Sequence, residues 1–191
     1  MAWTAFLDAC VLYPSSTRDL LLRGASAYLY RVSWSSRVLE QAHRHLIEDG
    51  RCTQEQADSL IATMTHAFPE ATVSGFEGLI GSMANHEDDR HVLAAAVISR
   101  ADVIVTENVR HFPEEACRPH GIEVQTADEF LSFSFDLAPT VMGQVFLEQV
   151  ADWSRPRMTA SEALSRLDER LPSLADRLRI LPDVRQAAGL G

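Results

Sequence analysis

The 191-residue sequence contains no lysine: all 17 basic residues are arginine, set against 27 acids for a formal charge of −10. That balance argues against a general nucleic-acid coat protein, which needs a basic surface to displace counterions from phosphates. It leaves room for an enzyme that meets nucleic acid through a cation, because carboxylates that hold cations count as excess negative charge. Cysteine is scarce. Cys10, Cys52 and Cys117 are too few and too scattered for a disulfide framework, and their odd number points to reduced thiols in a cytoplasmic setting. No apolar run approaches the roughly 18 residues of a membrane span, and residues 1–12 carry no basic stretch, so neither a membrane segment nor an export signal is expected. Internal repeats, a Gly-rich phosphate loop, a nucleophile elbow and a Ser-His-Asp order are all missing.

What is present is ordinary globular material, 46% apolar and 23% charged, which excludes wholesale disorder. Trp3 to Leu7 is a short apolar run ending at Asp8 and reads as a buried strand. Pro14-Ser15-Ser16-Thr17 offers helix caps before Arg18–Arg23. Ser35 or Ser36 can cap a helix whose inner face is Val38, Leu39, Ala42 and Leu46. Thr53-x-x-Gln56 is a capping-box pattern opening a helix to about Ala67. Asp88 precedes a helix with Val92, Leu93, Ala96 and Val97 on one face. The β-branched run Val103-Ile104-Val105 follows, and Ile122–Val124 repeats the strand pattern before a helix reaching Phe133. Strands alternating with helices imply a parallel sheet covered on both faces, a three-layer α/β/α arrangement over residues 1–135. From residue 136 to 191 only helical signals remain, with Met142, Val145, Phe146, Val150 and Trp153 on one face and a second capping box at Thr159-x-x-Glu162. This all-helical extension needs a surface for its stripe: the main domain, a second copy or another protein.

Function in parallel sheets gathers at the carboxyl ends of strands. Asp8 ends the first strand, Thr106-Glu107-Asn108 follows Val105, and Asp89 lies three residues before Val92 at the first turn of its helix. Three separated segments thereby bring Asp8, Asp89 and Asn108 to one rim. A hard divalent cation such as Mg²⁺ wants a few carboxylates with water completing its shell. Asp88 and Asp89 also fit a plainer role, as an N-cap and a first-turn acid serving the helix dipole. Cys117-x-x-His120 is half a zinc pattern without a second pair, and His43 and His45 face different ways on their helix.

The blocks Phe6-Leu7-Asp8-Ala9-Cys10-Val11-Leu12-Tyr13-Pro14, Asp88-Asp89-Arg90-His91-Val92-Leu93-Ala94-Ala95-Ala96 and Ile104-Val105-Thr106-Glu107-Asn108 with Phe112-Pro113 resemble the PIN-domain family. Within it they are most similar to VapC-type toxin ribonucleases with a helical C-terminal region. The resemblance implies a Mg²⁺ or Mn²⁺ site, endonucleolytic RNA cleavage leaving a 5′-phosphate and a 3′-hydroxyl, a cognate antitoxin partner and a homodimer. By position, Asp8 matches the first family acid, Asp89 the third, and Asn108 the fourth acidic or amide position. Asp8 and Asp89 would then be the metal ligands.

Three positions depart from that pattern. The second acid aligns with Gln41, with Glu40 beside it; Cys10 follows Asp8-Ala9; and His111 replaces a second Asp before Phe112. Gln41 lacks the charge of a carboxylate, so Glu40 is expected to serve as the working acid. Two other readings stand beside the nuclease. One is an aspartyl-nucleophile phosphatase, which would want a second acid where Cys10 stands. The other is a catalytically weak or inactive PIN scaffold that binds RNA or an antitoxin.

Overall fold

A computed structural model describes residues 3–153 and 157–190. The chain runs β1 (Thr4–Leu7), α1 (Ala9–Leu12), α2 (Ser15–Ser26), β2 (Arg31–Ser35), α3 (Ser36–Glu48), α4 (Gln54–Ala67), β3 (Thr72–Val73), α5 (Arg90–Ile98), β4 (Val103–Val105), α6 (Glu114–Cys117) and β5 (Glu123–Gln125). Five helices follow: α7 (Ala127–Leu137), α8 (Pro139–Asp152), α9 (Ala160–Leu167), α10 (Pro172–Arg179) and α11 (Pro182–Ala188). Short 3₁₀ turns occupy Glu77–Ser82, Glu87–Asp89, Val109–His111 and Arg118–His120. Among the described residues no helix is long and apolar enough to cross a membrane.

All five strands are parallel, in the order β3-β2-β1-β4-β5. The chain lays down β1, β2 and β3 toward one edge, then returns to place β4 and β5 on the other side of β1. The order therefore reverses between β1 and β4, and the crevice outside their carboxyl ends is where open α/β sheets bind ligands. Ala5, Phe6 and Leu7 pair with Val103, Ile104 and Val105, and all six are fully buried. Such continuous apolar strands are stable only when both faces of the sheet are covered.

Two strands escape the apolar-run criterion. β2 reads Arg-Val-Ser-Trp-Ser, with Ser33 and Ser35 buried; Ser33 Oγ donates to Ser99 Oγ (3.3 Å) and Ser35 Oγ accepts from Val38 N (3.3 Å) as the cap of α3. β3 is two residues long, too short to leave a pattern. The capping boxes at Thr53 and Thr159 both form as their spacing predicts.

The compact units divide at 126/127, whereas sequence reading sets the boundary between 1–135 and 136–191. One unit holds residues 1–14 and 30–126; the other holds 15–29 and 127–191. The reason lies in α7. Its Asp128 carboxylate accepts from Ser173 N (3.1 Å) and Leu174 N (2.9 Å) at the start of α10, and Asp136 takes a two-pronged contact from Arg177 (2.9 and 3.1 Å). α2 joins the same unit. Gln149 Nε2 on α8 donates to Ser16 O (2.9 Å), and Arg23 meets Asp152 (2.7 Å). Met142, Val145 and Phe146 are buried, while Val150 and Trp153 are half-buried. Much of the apolar stripe of α8 is thus covered within its own unit, partly by a segment from the N-terminal third of the chain.

Candidate functional site

Asp8 sits where β1 stops. Its backbone N–H still donates to Val105 O (3.1 Å), extending the ladder one residue, and then its side chain caps α1. The carboxylate is 4% exposed, and donors account for its burial. Oδ1 accepts from Ala9 N (2.6 Å); Oδ2 accepts from Thr106 Oγ1 (2.6 Å) and from Cys10 Sγ (3.2 Å). Thr106 is fully buried directly after β4, so the pairing of β1 with β4 delivers the hydroxyl to the carboxylate. Cys10 is held on its other side, accepting from Glu107 N (3.2 Å). Burial and the Asp8 charge push its thiol up to about 12, which keeps the proton on sulfur.

Asp89 closes the 3₁₀ turn before α5, and its side chain makes no capping bond to that helix. Asp89, expected as a first-turn acid with Asp88 as N-cap, itself stands at the N-cap position of α5 without a capping bond. Its Oδ2 instead meets His111 Nδ1 at 2.6 Å. The Asp89 side chain is 15% exposed and that of His111 23%. The ring of His111 stacks on that of His86, with centroids 4.2 Å apart and planes 15° from parallel. Backbone bonds fix this arrangement: His111 N to Asn108 O (2.8 Å), His86 N to His111 O (3.0 Å) and Asp89 N to His86 O (3.0 Å). Asn108 N in turn donates to Thr106 Oγ1 (3.1 Å). An unbroken series of bonds runs Asp8–Thr106–Asn108–His111–Asp89.

The structure thus brings together Asp8, Asn108 and Asp89. It does not bring Glu40 to them. Glu40 is exposed and lines a groove of about 550 Å³ between α3 and α4 with Ser36, Leu39, His43, Asp58 and Ile61. Ser36 and His43 stand four before and three after it, the same face of α3. His43 Nε2 lies 2.7 Å from Asp58 Oδ1 across that groove. Gln41, about 100° further round α3, is the residue that turns toward α5: its Nε2 lies 3.2 Å from His91 Nε2. His91 is buried, and burial with the nearby Arg37 charge pushes its pKa down to about 4, against the opposing pull of Asp8. It stands neutral beside the rim.

Residues 127–180 match the family model described as the VapC50 C-terminal domain, which begins at the first residue of α7. The Mycobacterium tuberculosis (strain ATCC 25618 / H37Rv) protein named "Putative ribonuclease VapC50" is 41% identical over 117 residues, 61% of this chain and 69% of that protein. The chain belongs to the VapC-type PIN toxin family. No solved structure matches it.

For a VapC-type chain the donor set suits a divalent cation. Asp8 carries one donor on Oδ1 and two on Oδ2, so Oδ1 keeps a lone pair for a ligand. Asp89 has its second oxygen free of capping work. His86, Asp89 and His111 also offer donor atoms that all lie within 4.8 Å of one another. Sequence reading missed His86 entirely and saw His111 only as a departure. The Thr106-x-Asn108-x-x-His111 spacing, immediately after a buried strand, is the signal that links them.

Proposed function

We propose that this protein is a metal-dependent endoribonuclease, the toxin of a type II toxin–antitoxin pair, acting in the cytoplasm. Its substrate is RNA, its partner a cognate antitoxin protein, and its working form a homodimer. The nuclease domain is the PIN-like part, residues 1–135, with 136–191 as a helical extension. The observation that carries the reading is the bonded series from buried Asp8 to half-buried Asp89 at the β1/β4 switch point. Asp8 and Asp89 would hold Mg²⁺ or Mn²⁺. Such an ion supplies Lewis acidity toward a phosphate and lowers the pKa of water in its shell.

The chain's own residues do the positioning. Thr106 and Ala9 N fix the Asp8 carboxylate in one rotamer, so little reorganisation is left for the reaction. Asn108 is a catalytic residue in this scheme, its backbone bonded to Thr106 on one side and to His111 on the other, between the two acids. Of the adjacent pair on α3, Glu40 was the acid expected from charge alone. The bond from Gln41 to His91 favours Gln41 for the second position, with an amide oxygen that can ligate but cannot take a proton. That substitution also supports a second reading, a PIN scaffold that binds RNA or antitoxin and cuts weakly. Purified protein incubated with a structured RNA and Mn²⁺ separates the two. Cleavage that chelation abolishes and D8N abolishes supports the enzyme; binding without cleavage supports the scaffold.

A further inference from the structure

We propose that His86, Asp89 and His111 form a cation site of their own chemistry, one that takes a first-row transition metal such as Zn²⁺ in preference to Mg²⁺. The inference shares Asp89 with the proposed nuclease site but does not depend on RNA being the substrate. His86 and His111 come from different segments, one before the turn Glu87–Asp89 and one at the end of the turn Val109–His111. The bond His86 N to His111 O latches one segment to the other and Asp89 N to His86 O closes the first turn, so the donors are brought together by the fold rather than by chance rotamers. All three donors lie within 4.8 Å of one another. Ligands at about 2.0–2.1 Å from a tetrahedral zinc stand about 3.4 Å apart, so small side-chain rotations close the site. The His86 side chain is 45% exposed and has room to make them.

The donor chemistry decides the ion. Mg²⁺ takes oxygen ligands and gives up its water reluctantly, whereas imidazole suits zinc, copper, nickel and iron. His111 Nδ1 and Asp89 Oδ2 lie 2.6 Å apart, so both donor atoms already face one another where a cation would seat between them. Three protein donors leave a fourth position open, the arrangement of zinc sites that take water or an oxyanion rather than of closed structural sites. His86, 45% exposed, leaves the solvent side of the cluster open to a ligand, while Asp89 and His111 are 15% and 23% exposed. The Cys117-x-x-His120 spacing is not part of this site; Cys117 is buried, and burial raises its thiol to about 11.

Calorimetric titration of the full chain with Zn²⁺ in saturating Mg²⁺, and optical titration with Co²⁺, test the proposal. Wild type should bind one Zn²⁺ that Mg²⁺ does not displace. H86A and H111N should each weaken Zn²⁺ by at least about tenfold and reduce the visible Co²⁺ bands, since lesser changes around metal sites already cost 10–100-fold. H86A should keep its Mg²⁺ affinity and melting temperature, whereas H111N also removes the partner of Asp89 and is read through Zn²⁺ and Co²⁺ binding alone. Zn²⁺ bound equally well by the double variant, at His43 and Asp58 for example, overturns the proposal, as does a wild type that prefers Mg²⁺. An RNA left uncut by a protein whose Zn²⁺ binding still needs His86 and His111 would sink the nuclease reading alone.

Discussion

The two acids of the rim are held in opposite ways. Asp8 is a product of the sheet: buried, met by three donors, its rotamer set by a neighbouring strand and by the helix it caps. Asp89 is a product of loops: partly exposed, free of its own helix, bonded to a histidine that stacks on another. The difference teaches that a rim can combine one rigid oxygen corner, suited to a hard cation, with one adaptable imidazole corner whose ligand preference follows from local residues. Substitutions at Asp8 should therefore touch stability and chemistry together, and those at Asp89 chemistry alone.

The largest effect should separate these corners. D8N and D89N should each reduce RNA cleavage by at least ~100-fold. D8N should also cost about 1–3 kcal/mol in denaturant unfolding, because an amide in that pocket leaves a buried donor or acceptor unmatched. D89N should leave unfolding within about 0.5 kcal/mol of wild type. Equal stability losses in both would erase the contrast.

Next in size is Thr106, which donates to Asp8 and accepts from Asn108 N. T106V keeps the shape but removes the hydroxyl that donates at 2.6 Å, and should lower cleavage by about 10–100-fold. Q41E should follow: a carboxylate in place of the amide adds charge on the Asp8 side and should tighten Mn²⁺ by about tenfold, ~1.4 kcal/mol. E40Q in the α3/α4 groove should alter cleavage by no more than about twofold. The reverse ranking would restore Glu40 as the working acid.

Smallest is a reactivity contrast at Cys10. Its thiol, pushed up to about 12 by burial and the Asp8 charge, should resist iodoacetamide at pH 8 in the native protein. D8N removes the charge and should speed alkylation, which peptide mapping would follow.

The legible parts of the fold were those with a local cause. β1 and β4 announce themselves as apolar runs, and both capping boxes follow from spacing. β2 was illegible because its serines bury by bonding to Ser99 and to Val38 N, partners distant in sequence or across a boundary. The membership of α2 in the helical unit was equally hidden, since it rests on contacts such as Gln149 to Ser16, 133 residues apart. At the site, strand ends pointed to Asp8 and Asn108 and helix phase to Asp89. Charge favours Glu40 and direction favours Gln41: Val38, Leu39, Ala42 and Leu46 define the buried stripe of α3, and Glu40 and Gln41 flank it on opposite sides. His86 was invisible because its role depends on a stack with a residue in another turn.

Calorimetric Mn²⁺ binding by wild type, D8N and D89N, with cleavage of one RNA measured on the same preparations, tests most directly whether the bonded series from Asp8 to Asp89 frames one catalytic cation. Wild type should bind Mn²⁺ and cut, and each single variant should lose both while remaining folded. Undiminished Mn²⁺ binding and cleavage in folded D89N would contradict it.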